Sequence, residues 1–165
     1  MSNRRHFIIS QQLTPFVING VINGWIAWAM HKGKPAATLW GAHGYWTDLV
    51  LTGILLPGIT WLIIWPLIRK QAAGGKAPAT DGVPEPWALR FLPSSLWGGS
   101  AMVGLLGGMI GLVVAGIMHA LGAPSLPAET YMIFKGVYGG MLSVLLQPSM
   151  VFAILRSVRP VPVRA

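Results

Sequence analysis

Cysteine is absent from the 165-residue chain, which removes disulfides, thiolate metal sites and cysteine nucleophiles at once. Acidic residues are almost as scarce. Asp48, Asp81, Glu85 and Glu129 are the whole set, so mechanisms built on paired buried carboxylates have little to draw on. Only 10% of residues are charged, against about 25% in ordinary soluble domains, and a chain this poor in charge cannot cover a water-soluble globule. Signature motifs are missing too. There is no P-loop, no dinucleotide-binding glycine pattern after a strand, no G-x-S-x-G nucleophile elbow, no H-E-x-x-H, no haem-attachment motif and no glycosylation sequon. Enzymatic activity is therefore not expected.

What the chain has instead is apolar sequence. Apolar residues make up 53% and mean hydropathy is +0.60, so the reading is an all-α integral membrane protein. A bilayer core takes about 20 mostly apolar residues per helix, about 17 at the short end, and four segments qualify: 15–30, 49–68, 101–121 and 131–155. Thr14 is placed to cap the first, with Pro15 at its first helical position, and Asp48 precedes the second. A signal peptide is the competing reading of the N-terminus, with Arg4 and Arg5 as its basic region and Ala27-Trp28-Ala29 as its cleavage site. Asn19 and Asn23 interrupt the apolar run it would need.

The net charge of +8 invites a nucleic-acid reading, but the positions of the basic residues answer it. Arg4 and Arg5 precede the first span, Arg69, Lys70, Lys76 and Arg90 lie between spans two and three, and Arg156, Arg159 and Arg164 follow the fourth. Only Lys32 and Lys34 lie on the opposite side, and Lys135 falls inside span four. Basic residues concentrate on the cytoplasmic side of membrane proteins, so both termini are expected in the cytoplasm, with no nucleic-acid partner. The expected organisation is an interfacial N-terminal segment (1–14), a first transmembrane hairpin (15–69), a Gly/Pro-rich linker with an interfacial segment at Trp87–Pro93 (70–99), a second hairpin (100–156) and a cytoplasmic tail (157–165). Trp40, Trp46, Trp87 and Trp97 fall at predicted boundaries, where interfacial aromatic belts form.

The two halves resemble each other. Asn19–His31 aligned with Gly107–His119 at an offset of 88 residues gives Gly20/Gly108, Ile22/Ile110, Ala27/Ala115, Met30/Met118 and His31/His119 as identities. A proline follows each histidine (Pro35, Pro124), and the second helix of each half ends in Pro66-Leu-Ile-Arg69 or Ala153-Ile-Leu-Arg156. The expected fold is a four-helix bundle of two tandem, like-oriented hairpins related by an axis along the membrane normal. Small residues at four-residue spacing in span three, Gly104 and Gly108 with Gly107 and Gly111, let backbones approach closely. Asn19 and Asn23 occupy the repeat positions of Gly107 and Gly111, so span one is expected to turn its asparagines toward the glycine face of span three.

Three sets of residues are candidates for chemistry. His31, His43 and His119 fall on the side away from the arginines, with Asp48 and Glu129. Two imidazoles at equivalent depth suit a haem or chlorin, and a third would suit zinc or copper. The plainer role is interaction with the last carbonyls of a helix. Lys135 is expected to snorkel to the surface, with Glu129 as a partner if the helix starts late. Asn19, Asn23, Lys135 and Gln147 could line a polar pathway, with Pro57-Gly58 and Gln147-Pro148 as kinks. Three functions follow. The leading one is a non-enzymatic accessory or assembly subunit that associates with other membrane subunits, or with copies of itself, through helix packing. A small oligomeric transporter or channel is second, and a haem- or pigment-binding subunit with His31 and His119 as ligands is third.

Overall fold

The computed structural model describes residues 2–34, 36–41, 44–75 and 91–158, with residues 2–12 described as helix only. His43, most of the linker including Trp87–Arg90, and the tail beyond Val158 lie outside the described residues. The elements are α1 (Ser2–His31), β1 (Ala36–Thr38), α2 (Tyr45–Ala73), α3 (Leu96–Ala120), β2 (Ser125–Pro127) and α4 (Ala128–Arg156). All four helices are long and apolar enough to cross a membrane, and the protein is a mostly helical, membrane-embedded bundle.

The helices outrun the apolar segments that announce them. α1 begins at Ser2 rather than Thr14, so Pro15 lies inside the helix, as do Pro57, Pro66 and Pro148 in α2 and α4. Each proline deletes one backbone donor and leaves the carbonyl four residues earlier without it. Membrane helices tolerate this because neighbouring groups satisfy the freed carbonyl.

α1 and α3 end alike. Gly33 (φ +80°) and Gly122 (φ +69°) take the left-handed conformation just past His31 and His119, where only glycine avoids a Cβ clash. The chain then enters β1 or β2, short strands that pair antiparallel with Ala37 opposite Leu126. The Leu39 amide donates to the Pro124 carbonyl at 2.7 Å and continues the ladder. Both connections are thereby tied together at one end of the bundle, the strand end. α1 and α3 run toward it and α2 and α4 run away. At the opposite end, Arg69 donates to Ser157 Oγ (3.3 Å) and Arg156 to the Leu92 carbonyl (2.9 Å).

The two helices of each predicted hairpin are not each other's closest partners. α2 packs on α3, α1 packs on α4, and α2 crosses α4 in the middle. Glycine decides the first pairing: a Cβ on Gly107 would fall 1.9 Å from the Gly53 carbonyl oxygen, and one on Gly111 would fall 2.7 Å from that of Leu49. Gly104 and Gly108 close on Ile54 in the same way. The expected meeting of Asn19 and Asn23 with this glycine face does not occur, because α2 already occupies it and Gly53 lets its backbone come closer than any asparagine could. Both asparagines turn to α4. Asn19 Nδ2 donates to Ser143 Oγ at 2.7 Å, and Asn23 donates back to the Asn19 carbonyl while lying over Gly139. The core has two parts. One, at the strand end, holds Ala27, Leu39, Tyr45, Leu49, Tyr131 and Leu142. The other, toward the arginine end, holds Trp61, Leu92, Val103, Met150, Ile154 and Leu155.

Candidate functional site

Lys135 sits one turn past Tyr131 on α4 and is 1% exposed. It neither snorkels nor meets Glu129, which is exposed. Its ammonium donates to both carboxylate oxygens of Asp48, in the first turn of α2, and forms an ion pair with it. The correction has a physical reason. The α2–α4 crossing carries Lys135 away from lipid and water together, and a lysine at mid-membrane costs about 2.5–3.5 kcal/mol on insertion scales unless a counter-charge is built in. Asp48 is well placed to supply it, because the first turn of a helix favours negative charge.

The carboxylate has a second donor in the Tyr131 hydroxyl. Around Tyr131 stand Tyr45, with ring centroids 5.2 Å apart, and His31, edge-on at 5.0 Å. Tyr45 is fixed by donating to the Ala123 carbonyl (2.7 Å), and Tyr138 by donating to that of Leu49 (3.0 Å). His31 is 6% exposed, and its Nδ1 is buried with no hydrogen-bond partner among the described residues. Access is one-sided. The Asp48 side chain keeps 20% of its surface exposed, whereas that of Lys135 keeps 2%.

Below the ion pair, α4 continues the polar line. Tyr131, Lys135, Gly139, Ser143 and Gln147 are spaced by four residues, so each adjoins the next along a stripe that winds gradually round the helix, and all five are buried. Asn23 fills the space over Gly139, and Asn19 bonds Ser143. Gln147 borders a narrow gap shared with Ser143, Pro57, Thr60 and Met150. The residues the sequence nominated for a polar pathway, Asn19, Asn23, Lys135 and Gln147, thus share one seam. Sequence reading missed Asp48, Tyr131 and Ser143 as members. The four-residue spacing was there to be read.

The histidines are not treated alike. His31 lies buried against Tyr131, while His119 is exposed and its Nδ1 accepts from Trp40 Nε1 at 3.4 Å. Among the described residues no group of three His, Cys, Asp or Glu side chains is placed to hold a metal. An open concavity lies elsewhere, on the outer face between α1 and α4. Its accessible volume is about 550 Å³, open to the outside, with Gly20, Gly24 and Gly136 as its floor and Val21, Trp25, Trp28, Met132 and Ile133 as its walls. No protein-family model matches the chain, and neither the curated proteins nor the solved structures hold a match to it.

Proposed function

We propose that the protein is a non-enzymatic membrane subunit that works by lateral association, receiving a transmembrane helix of another subunit in the groove between α1 and α4. The observation that carries this reading is where the open space lies: the helices approach closely at their glycines, and a wide apolar concavity opens outward between α1 and α4. α1 is a peripheral helix, with only 11% of its most apolar stretch buried, against 50% for α4. The groove floor is nearly bare backbone, the kind of surface against which membrane helices pack. Trp25 stands 64% exposed on its wall, two turns inside the helix end, deeper than an interfacial belt requires.

Two finer readings accompany this one. The arginine end faces the cytoplasm, as the positive-inside bias requires, which places both termini there. The fold is a duplicated hairpin. A half-turn that exchanges the halves turns the α1–α4 contact into the α3–α2 contact and leaves the α2–α4 crossing and the β1–β2 ladder in place. That pattern supports descent from a two-helix unit.

A photo-crosslinking residue at Val21, with one at exposed Ile63 on α2 as control, tests the association in native membranes. Protein adducts from Val21 and none from Ile63 are expected, and a second copy captured at Val21 would make the assembly a homo-oligomer. Lipid adducts alone at both positions would overturn the reading.

A further inference from the structure

We propose that the polar seam on α4 is a proton half-channel, entered at Asp48 from the water beyond the strand end and stopped by the apolar layer of Trp61, Met150 and Ile154. The proposal does not depend on lateral association. Buried ionisable groups in a membrane protein carry a cost and mark pathways more often than they mark packing. Here the charged pair is the first member of a series. From Lys135 to Gln147 the seam descends about 18 Å at 1.5 Å per residue, more than half of a hydrocarbon core about 30 Å thick. Every turn of that length offers a hydroxyl, an amide or an ammonium: Lys135, then Asn23 over Gly139, then Asn19 with Ser143, then Gln147 beside Thr60. Beyond Gln147 the side chains turn largely apolar: Trp61, Met150 and Ile154 are each 1% exposed or less, and their one side-chain N–H, Trp61 Nε1, is buried with no partner among the described residues.

The tightness of the interior selects the passenger. The gap at Gln147 is too narrow for a solute, but a proton needs only a succession of donors and acceptors. Asp48 is the half of the ion pair that keeps exposed surface, and it lies in the first turn of α2, toward the strand end. A hydronium ion there gives its proton to the carboxylate, leaving water and a carboxylic acid. Lys135, its counter-charge gone, releases a proton to a water molecule admitted to the seam on its Asn23 and Ser143 side, which becomes hydronium, and is left a neutral amine. Transfer of the carboxylic proton from Asp48 to that amine restores the ion pair, so one proton has entered and one has moved down the seam. Each element contributes what faces the pair: His31 from α1, Tyr45 from α2 and Tyr131 and Tyr138 from α4, while α3 brings Gly111 and Ala115.

The full chain in liposomes containing a pH-sensitive dye, with a potassium diffusion potential as driving force, tests this. Met150→Ala thins the apolar layer and is expected to raise proton uptake several-fold over protein-free vesicles, whether or not the wild type conducts. Gln147→Leu, or Asp48→Asn with Lys135→Met, is expected to return that uptake to the protein-free rate. Thermal unfolding of each variant separates lost conduction from lost fold. Uptake at the protein-free rate in both wild type and Met150→Ala would overturn the proposal, and so would Met150→Ala uptake unchanged by the seam substitutions.

Discussion

Replacing Asp48 by asparagine removes one charge and almost no volume, and so isolates what the ion pair contributes. The Lys135 ammonium would remain 1% exposed, with an amide where its counter-ion stood. Breaking a buried pair by removing one partner costs about 3–5 kcal/mol, whereas replacing both partners by neutral groups of similar volume is often neutral or stabilising. Asp48→Asn alone is therefore expected to lower unfolding free energy by about 3–5 kcal/mol. Adding Lys135→Met should recover most of that loss, because the methionine fills the lysine's track and the introduced amide still offers an oxygen to the Tyr131 hydroxyl. The coupling between the two substitutions should exceed about 2 kcal/mol, within the range measured for residues in direct contact. Reversible unfolding in mixed micelles, followed by fluorescence of the eight tryptophans, reads all four variants. A single substitution costing under about 1 kcal/mol, or two costs that simply add, would refute the assignment of Lys135 and Asp48 to a closed, mutually dependent pair.

Other consequences are as direct. Gly107→Ala puts a methyl 1.9 Å from the Gly53 carbonyl oxygen, where only backbone can yield, and should cost at least about 1–3 kcal/mol in the same unfolding assay. Gly116→Ala on the same helix meets nothing within 4 Å and should be neutral or gain up to about 1 kcal/mol. Ser143→Ala takes the acceptor from Asn19 and is expected to cost about 0.6 kcal/mol, the average for such bonds between membrane helices. Gly122→Ala forces a Cβ into φ +69° and should cost about 1–2 kcal/mol, so a neutral result there would mean that the turn after α3 is misplaced.

Much of the architecture was legible because it is set by composition and spacing. Four apolar runs made four helices, and the basic residues that bracket them, Arg69 and Arg156, meet at one end. What could not be read was which helix lies against which. Local sequence marks Gly107 and Gly111 as a close-approach face, but Gly53 on α2 carries the complementary one, and a single glycine in a helix gives no sign of its partner. The same limit applied to Lys135. Its depth in span four was plain, and snorkelling followed from considering α4 alone. The counter-ion comes from 87 residues away, through a crossing that no local pattern encodes. β1 and β2 were missed because three-residue strands leave no periodicity to detect.

The two lateral interfaces differ in a way that the duplication reading makes informative. On the proposed duplication, α1–α4 corresponds to α3–α2 and the two pairs descend from one contact. In α3–α2 the contact is glycine against backbone, with Ser100 donating to the Gly58 carbonyl (3.0 Å) as a polar link. In α1–α4 glycine also meets backbone, at Gly20, Gly24 and Gly136, but the positions aligned with Gly107 and Gly111 are Asn19 and Asn23, whose amides reach Ser143 and lie over Gly139. Asparagine packs less closely than glycine, and a bond between membrane helices returns only about 0.6 kcal/mol, so stability alone gives no reason for the exchange. Polarity does, because the amides span the two turns between Lys135 and Gln147 that glycine would leave apolar. Replacing both residues, Asn19→Gly with Asn23→Gly, should leave the bundle folded on its Gly20, Gly24 and Gly136 contacts, and should cost conduction in the Met150→Ala background. Loss of the fold with no change in conduction per folded molecule would mean that the asparagines are packing residues after all.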